Sequence, residues 1–424
     1  MLSTLRNAWR VPEIRKKMLY TLLLLLVFRL GSSIPVPYMD KQVIADIFKA
    51  SEGGILDFLD MMGGGTFSRF SIFATNIYPY ITASIVIQLL TIAIPALEEI
   101  AKEGEEGSKK IARYTRYMGI VLALIQATGY TLGLFKGALT ATNSIQKLIV
   151  ILSLVAGTCF LIWLGDMITE RGIGNGISLL IFVGIISRLP NDVIFGFQAI
   201  KAGSLKPLKA IIMVAVMLVI VAFVVALQEG ERRVPVQYAK RVVGRKMYGG
   251  QNTHIPVKVS MSGVMPVIFA SSLLAFPQTI AMFTKGGASQ WIKTYLTPAG
   301  TVGIWIYSIL NILLIMFFTY FYTAIQFNTV EYAKNLRQNG GFVPGIRPGR
   351  PTAEYLTKIV NRITFVGGLS LAILASLPIL LSKAFGMNVN FGGTAIIIVV
   401  GVALETVQQL EAQMLMRHYK GFLN

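Results

Sequence analysis

The sequence predicts an all-α, polytopic membrane protein with about ten transmembrane helices and both termini in the cytosol. Three observations carry this. First, 54% of the 424 residues are hydrophobic and only 14% are charged, against about 25% charged in an ordinary soluble chain. Second, apolar runs long enough to cross a bilayer, about 20 residues each, recur at 18–37, 70–94, 114–134, 148–168, 175–194, 209–228, 262–283, 303–327, 363–382 and 394–414. Third, Lys and Arg alternate in density between successive connecting segments. One set of alternate segments, both tails included, carries 26 of the 39 basic residues and the other set carries 12, with Arg29 inside the first run. Basic loops stay on the cytosolic side, so the denser set is cytosolic.

Each element then has its own reading. Arg6, Arg10, Arg15, Lys16 and Lys17 precede the apolar core Met18–Phe28. This looks like a secretory signal, but no small-residue cleavage site follows, so it reads as an uncleaved first span. The fifth run is the least regular, because Arg188 and Pro190 interrupt it. Gly129, Gly133 and Gly137 read as helix-packing positions in and after the third run. The chain can be divided at about residue 205 into an N-terminal half, 1–205, and a C-terminal half, 206–424, of five spans each. Five is odd, so such halves would be inverted in the membrane, as in many transporters and some channels.

Two cytosolic loops are strongly basic. Residues 229–261 hold Arg232, Arg233, Lys240, Arg241, Arg245, Lys246 and Lys258 against Glu229 and Glu231, with strand-like pieces at Val234–Val236 and Ile255–Val259. Residues 328–362 hold Lys334, Arg337, Arg347, Arg350, Lys358 and Arg362 around the turn-rich tip Gly340–Gly349. Topology alone accounts for basic loops; the excess also suits docking of an anionic partner such as ribosomal RNA.

The pattern gives little support to catalysis. There is no Gly-rich loop ending in Gly-Lys-Ser/Thr and no pair of histidines at ligand spacing, so an enzyme and a bound cofactor or metal are not expected. Cys159 lies in the apolar run Leu152–Leu164 and reads as a core residue. Ion-coupled transport needs ionisable groups at membrane depth. Arg29 and Glu405 are the main candidates, and two isolated charges make a poor relay. Between the first two runs lies a short apolar stretch between glycine hinges, with Ile55, Leu56, Phe58, Leu59 and Met62 before Gly63, Gly64 and Gly65. By itself it is either an interfacial helix or a piece that folds back on its hinges. Ile77 with Ile81, and Ile177 with Ile181, stand at i, i+4, which by composition is ordinary packing.

Several longer stretches resemble one family. Phe28–Pro37, Phe70–Ala74, Pro79–Leu90, Tyr114–Tyr117, Ile168–Ser178, Gln251–Pro256 and Phe342–Gly349 are similar, in order and in place, to SecY proteins, the central subunits of the bacterial protein-conducting channel. The resemblance covers essentially the whole chain. Its departures are conservative, such as Asn252 and Thr82 where the family often has serine.

The resemblance implies a passive channel for unfolded secretory polypeptides in the bacterial inner membrane, with a second, sideways exit into lipid for transmembrane segments. It implies a mid-membrane pore ring of Ile77, Ile81, Ile177, Ile181, Ile268 and Ile398. It makes the stretch at about 54–66 a plug, carried by Ile55, Leu56, Phe58, Leu59, Met62, Gly63, Gly64 and Gly65. It puts Thr82, Ser272, Phe276, Gln278 and Thr279 on a lateral gate, and Arg233, Arg245, Lys246 and Arg347 on a docking face for the SecA motor or the ribosome. SecE and SecG are the implied membrane partners, and preproteins with their signal sequences and membrane lipids the other ligands. Two other readings stay open on the residues alone: an inverted-repeat solute or ion transporter, and a membrane scaffold in which the isoleucines merely pack.

Overall fold

A computed structural model describes residues 2–420 except 51–59, 61–62, 142, 204–206, 239–240, 244–245, 249–251, 284–286, 298–300 and 386–392. The chain is predominantly helical; α3 (Lys41–Ala50), α11 (Gly287–Tyr295) and α13 (Thr329–Gln338) are short helices between the longer ones described below. A short helix α1 (Leu2–Arg10) leads into α2 (Pro12–Gly31), whose start is set by Val11 in an extended conformation and Pro12 at the first helical position. On α2, Ile14, Thr21, Leu24 and Phe28 face inward, while Leu22, Leu23, Leu26 and Leu30 are exposed. Leu208, Ile211, Leu218 and Val219 are likewise exposed on α9 (Pro207–Glu229). Such apolar outer faces would aggregate in water and are solvated by lipid chains.

Among the described residues, six helical segments are long and apolar enough to cross a membrane: 105–134, 144–171, 210–229, 302–338, 350–377 and 394–415. A seventh crossing is available if α4 (Tyr78–Ala93) and α5 (Pro95–Lys102), bent by 101° at Pro95, count as one broken span. Shorter apolar pieces, 176–191 and 265–277, begin α8 (Gly176–Lys201) and α10 (Met265–Phe283).

Several predicted boundaries shift. The second run opens with non-helical turns, and α4 starts only at Tyr78, because Phe70 and Asn76 adopt positive φ and break the helix. Ile77 is therefore the cap of α4, one turn before Ile81, whose N–H donates to its carbonyl at 3.0 Å. Pro190 lies inside α8 without ending it. The third run forms α6 (Glu105–Gly129) and a π-turn over Tyr130–Leu134. Gly133 and Gly137 are exposed, and a Cβ on Gly137 would touch nothing within 4 Å, so neither is a helix-packing position. Gly133 lies within the π-turn, and Gly137 follows it. Helix α14 (Arg350–Phe385) begins thirteen residues before the predicted ninth run. At 1.5 Å per residue it is about 54 Å long, well beyond a hydrocarbon core of about 30 Å.

The helices pack in two sets. Helix α7 (Ser144–Arg171) contacts α2, α6 and α8, and α6 contacts α4. Helix α12 (Thr301–Gln326) contacts α10 and α14, while α15 (Gly393–Lys420) contacts α9, α10 and α14. The sets meet where α8 packs on α15 and where α4 packs on α10.

The two basic loops form one folded unit. Strand β1 (Glu231–Tyr238) pairs antiparallel with β4 (Asn252–Lys258) through seven residue pairs, and β5 (Gly341–Phe342) adds to the other edge of β1. Between β1 and β4 lies the hairpin of β2 (Arg241–Val243) and β3 (Lys246–Tyr248). Val234 and Val257 pack on Leu356, Ile359 and Val360 of α14, which is why that helix extends past the apolar run.

Candidate functional site

A cavity of about 550 Å³ opens where the two helix sets meet. Its walls come from α4, α8, α9, α10, α12 and α15 together with the turn Ser260–Val264. Its lining runs from Lys258, Gln326 and Gln408 at the end near the basic loops to Ile81, Ile177, Ile181 and Ile268. The upper wall is mostly uncharged and polar, including Ser84, Gln88, Asn175, Ser178, Gln228, Ser262 and Tyr322; Lys258 and Glu405 are the charged lining residues. Lys258 donates to the Gln408 side-chain oxygen at 2.7 Å. The Gln228 amide nitrogen and the Ser262 hydroxyl have no protein partner. The lining is thus polar and weakly charged at one end and branched-aliphatic at the other.

Local chemistry explains how α8 reaches the cavity. Gly174 has φ +89°, a conformation that favours glycine. Asn175 then caps α8 by accepting from Ser178 N at 3.2 Å. Gly176 N donates to Thr169 Oγ1 at 2.9 Å, and Ile173 N donates to Thr21 Oγ1 at 3.1 Å. These bonds hold the turn between α7 and α8 against α2, so Ile177 and Ile181 begin one cavity-facing stripe.

The structure brings four of the six ring candidates onto this cavity: Ile81, Ile177, Ile181 and Ile268. Ile77 and Ile398 are fully buried but do not line it. Of the gate candidates, Thr82 and Ser272 are buried on α4 and α10, helices in mutual contact. Ser272 donates to the Ile268 carbonyl of its own helix at 2.8 Å. Phe276 is 40% exposed. Gln278 and Thr279 lie on α10, where only the backbone is described.

Of the hinged stretch, Gly63, Gly64 and Gly65 are described, Gly64 and Gly65 with positive φ; Ile55, Leu56, Phe58, Leu59 and Met62 lie outside the described residues. Arg347 and Arg233 are exposed, and Arg233 pairs with Glu231 at 2.8 Å. Arg245 lies outside the described residues, and Lys246 is described only as backbone of β3. Two contacts escaped the sequence reading: the hydrogen bond from Tyr322 to Gln88 and the ion pair between Arg188 and Asp60. Arg188 signalled itself only as an interruption of an apolar run.

Together the apolar outer faces, the packed helix sets and the cavity between them define a polytopic α-helical membrane protein of the channel and transporter class. The SecY family pattern matches residues 71–407. A protein translocase subunit SecY of Streptomyces galbus is 44% identical over 441 residues, covering all of both chains. That of Thermotoga maritima is 42% identical, covering all of this chain and 98% of the relative. The chain therefore belongs to the SecY family of protein translocase subunits.

Solved structures share the fold at low identity. A protein-conducting channel aligns with TM-score 0.68 at 18% identity, over 94% of this chain and 92% of that one. Sec61 in the canine ribosome–channel complex from the endoplasmic reticulum aligns with TM-score 0.64 at 17% identity, over 94% and 92%.

Proposed function

We propose that the chain is the pore subunit of a protein translocase in the bacterial inner membrane. It passes unfolded secretory polypeptides across the membrane and releases transmembrane segments sideways into lipid. The observation that carries this reading is the cavity between the helix sets, polar at the basic-loop end and floored by isoleucines. A narrow aliphatic floor is hard to wet and opposes ion leakage. It offers no hydrogen bonds to a passing chain. Ile77 and Ile398 complete the ring with Ile81, Ile177, Ile181 and Ile268, and the stretch at 54–66 plugs it.

The topology proposed is ten crossings in two inverted halves, 1–205 and 206–424, with both termini cytosolic. The division of packing partners and the basic-residue bias support it. The lateral gate runs between α4 and α6 on one side and α10 and α12 on the other, with Thr82, Ser272, Phe276, Gln278 and Thr279 along it. Sorting at the gate is hydrophobic: a sufficiently apolar segment partitions into lipid.

The pore is passive and needs no cofactor. The energy comes from SecA or a ribosome docked on the sheet that joins the basic loops, through Arg233, Arg245, Lys246 and Arg347. SecE clamps the halves and SecG accompanies them. The Sec61 neighbour is itself a ribosome-bound channel. A coupled transporter is disfavoured because the cavity lining carries one lysine and one carboxylate and no acidic pair.

The test is ion flux through reconstituted complexes. Glutamate at Ile81 or Ile268 wets the floor and raises the resting leak, and it admits substrates with defective signal sequences. Variants as tight and as selective as the parent would sink the ring assignment.

A further inference from the structure

The stretch joining α2 to α4 is tied at two points, to α8, which lines the cavity, and to α2. Asp60, whose side chain is 5% exposed, uses both carboxylate oxygens. Oδ1 accepts from Phe67 N at 3.0 Å and Ser68 N at 2.7 Å. Oδ2 accepts from Arg188 Nη1 of α8 at 2.9 Å, and the Arg188 side chain is 19% exposed. Four residues on, the Gly64 carbonyl accepts from Arg29 Nη1 of α2 at 3.0 Å. The Gly64 backbone presses on α8 so closely that a Cβ there would stand 2.6 Å from both the Gly184 carbonyl and the Ser187 hydroxyl.

The position of this contact matters. Ile177, Ile181, Gly184 and Arg188 are spaced i, i+4, i+7 and i+11, so they share one face of α8. The cavity floor and the clasped segment are successive stations on that face. A buried ion pair is weak evidence for stability, because desolvation offsets its attraction. It is nonetheless strong against rupture while dry, since removing one partner leaves a buried charge. Once water enters, both charges hydrate and the attraction falls with the rising dielectric. Such a pair holds in a dry closed state and lets go in a wet open one.

We propose that Asp60 and Arg188 are positioning residues for translocation: their ion pair clasps Asp60, and with it the turns at 63–70, onto the isoleucine face of α8 and sets the threshold a substrate must exceed to open the pore. This deepens the pore reading and rests on it.

The test uses the full-length chain with its membrane partners in proteoliposomes. Resting ion leak is measured without substrate. Transport is then compared for a substrate with an intact signal and one with a shortened apolar core. Asp60→Asn keeps an oxygen for the Phe67 and Ser68 amides and removes only the charge, and Arg188→Gln removes the opposite charge. Each should raise the resting leak at least about tenfold and admit the short-core substrate, with intact-signal transport within about twofold of the parent. Arg188→Lys should stay near the parent. Parental leak and selectivity in assembled Asp60→Asn complexes would overturn the proposal. The leak assay needs no polypeptide, so a parent that conducts none would refute the pore reading and still report on the clasp.

Discussion

Tyr322 donates its phenolic hydrogen to the side-chain oxygen of Gln88, joining α12 to α4 across 234 residues of sequence. Both residues line the cavity, and they belong to the two different helix sets. The bond therefore crosses the seam that has to part if the cavity is to open sideways.

Tyr322→Phe keeps the ring and deletes this bond. Gln88 faces the cavity, where water can replace the lost donor, so the expected cost is about 0.5–1.5 kcal/mol. That shifts the balance between closed and parted seams by about two- to twelvefold. Membrane insertion of model segments of graded leucine content checks it: the variant should release less apolar segments than the parent does. An unchanged threshold would show that the bond does not hold the seam.

Gly165 and Gly176 mark a close backbone approach between α7 and α8. A Cβ on Gly176 would lie 2.0 Å from the Gly165 carbonyl oxygen. Gly176→Ala must separate the helices, at a cost of about 1–3 kcal/mol typical of overpacking, and it moves the adjoining Ile177. A lowered Tm in detergent and a raised resting leak are expected together. Gly137→Ala, which meets open space, serves as the control and should change neither.

Leu356 is fully buried beneath the sheet of the basic loops, against Val234 and Val257. Leu356→Ala should destabilise this unit by about 2–5 kcal/mol and leave the cavity intact. Limited proteolysis should then cut between residues 229 and 261 faster, while the resting ion leak stays parental. A raised leak would mean that the loop unit and the pore are mechanically coupled.

Arg347 is exposed on the same basic-loop unit, and its carbonyl accepts from Thr352 Oγ1 at 2.9 Å. Arg347→Ala should weaken binding of an anionic or acidic partner and make the dependence of log K on log salt shallower, by about one contact's worth. Arg233→Ala should do less, because Glu231 already offsets that charge. Equal losses for both variants would argue against a docking role specific to Arg347.

Much of this was readable in the chain. Lipid and water impose opposite demands along it, so composition and apolar run length determined the membrane class, and basic-residue density suggested the sidedness. Val234–Val236 and Ile255–Val259 showed strand character in advance; the first lies in β1, the second runs through the end of β4, and Val234 stands opposite Ile255. The family resemblance rested on ordered stretches such as Ile168–Ser178, whose glycines and Asn175 build the turn that starts α8.

Tertiary structure alone decided the rest, because long-range contact has no local signature. Nothing near Pro190 tells that α8 continues through it, and nothing near Arg350 that α14 starts there to carry a sheet. Isoleucine is isoleucine in core, lipid or pore; only packing put Ile81, Ile177, Ile181 and Ile268 on a cavity and left Ile77 and Ile398 off it. A charge in an apolar run signals that a partner is needed, not which one, and Asp60 lies 128 residues from Arg188. The sequence by itself determined which solvent each segment faces; the fold decided which residues meet.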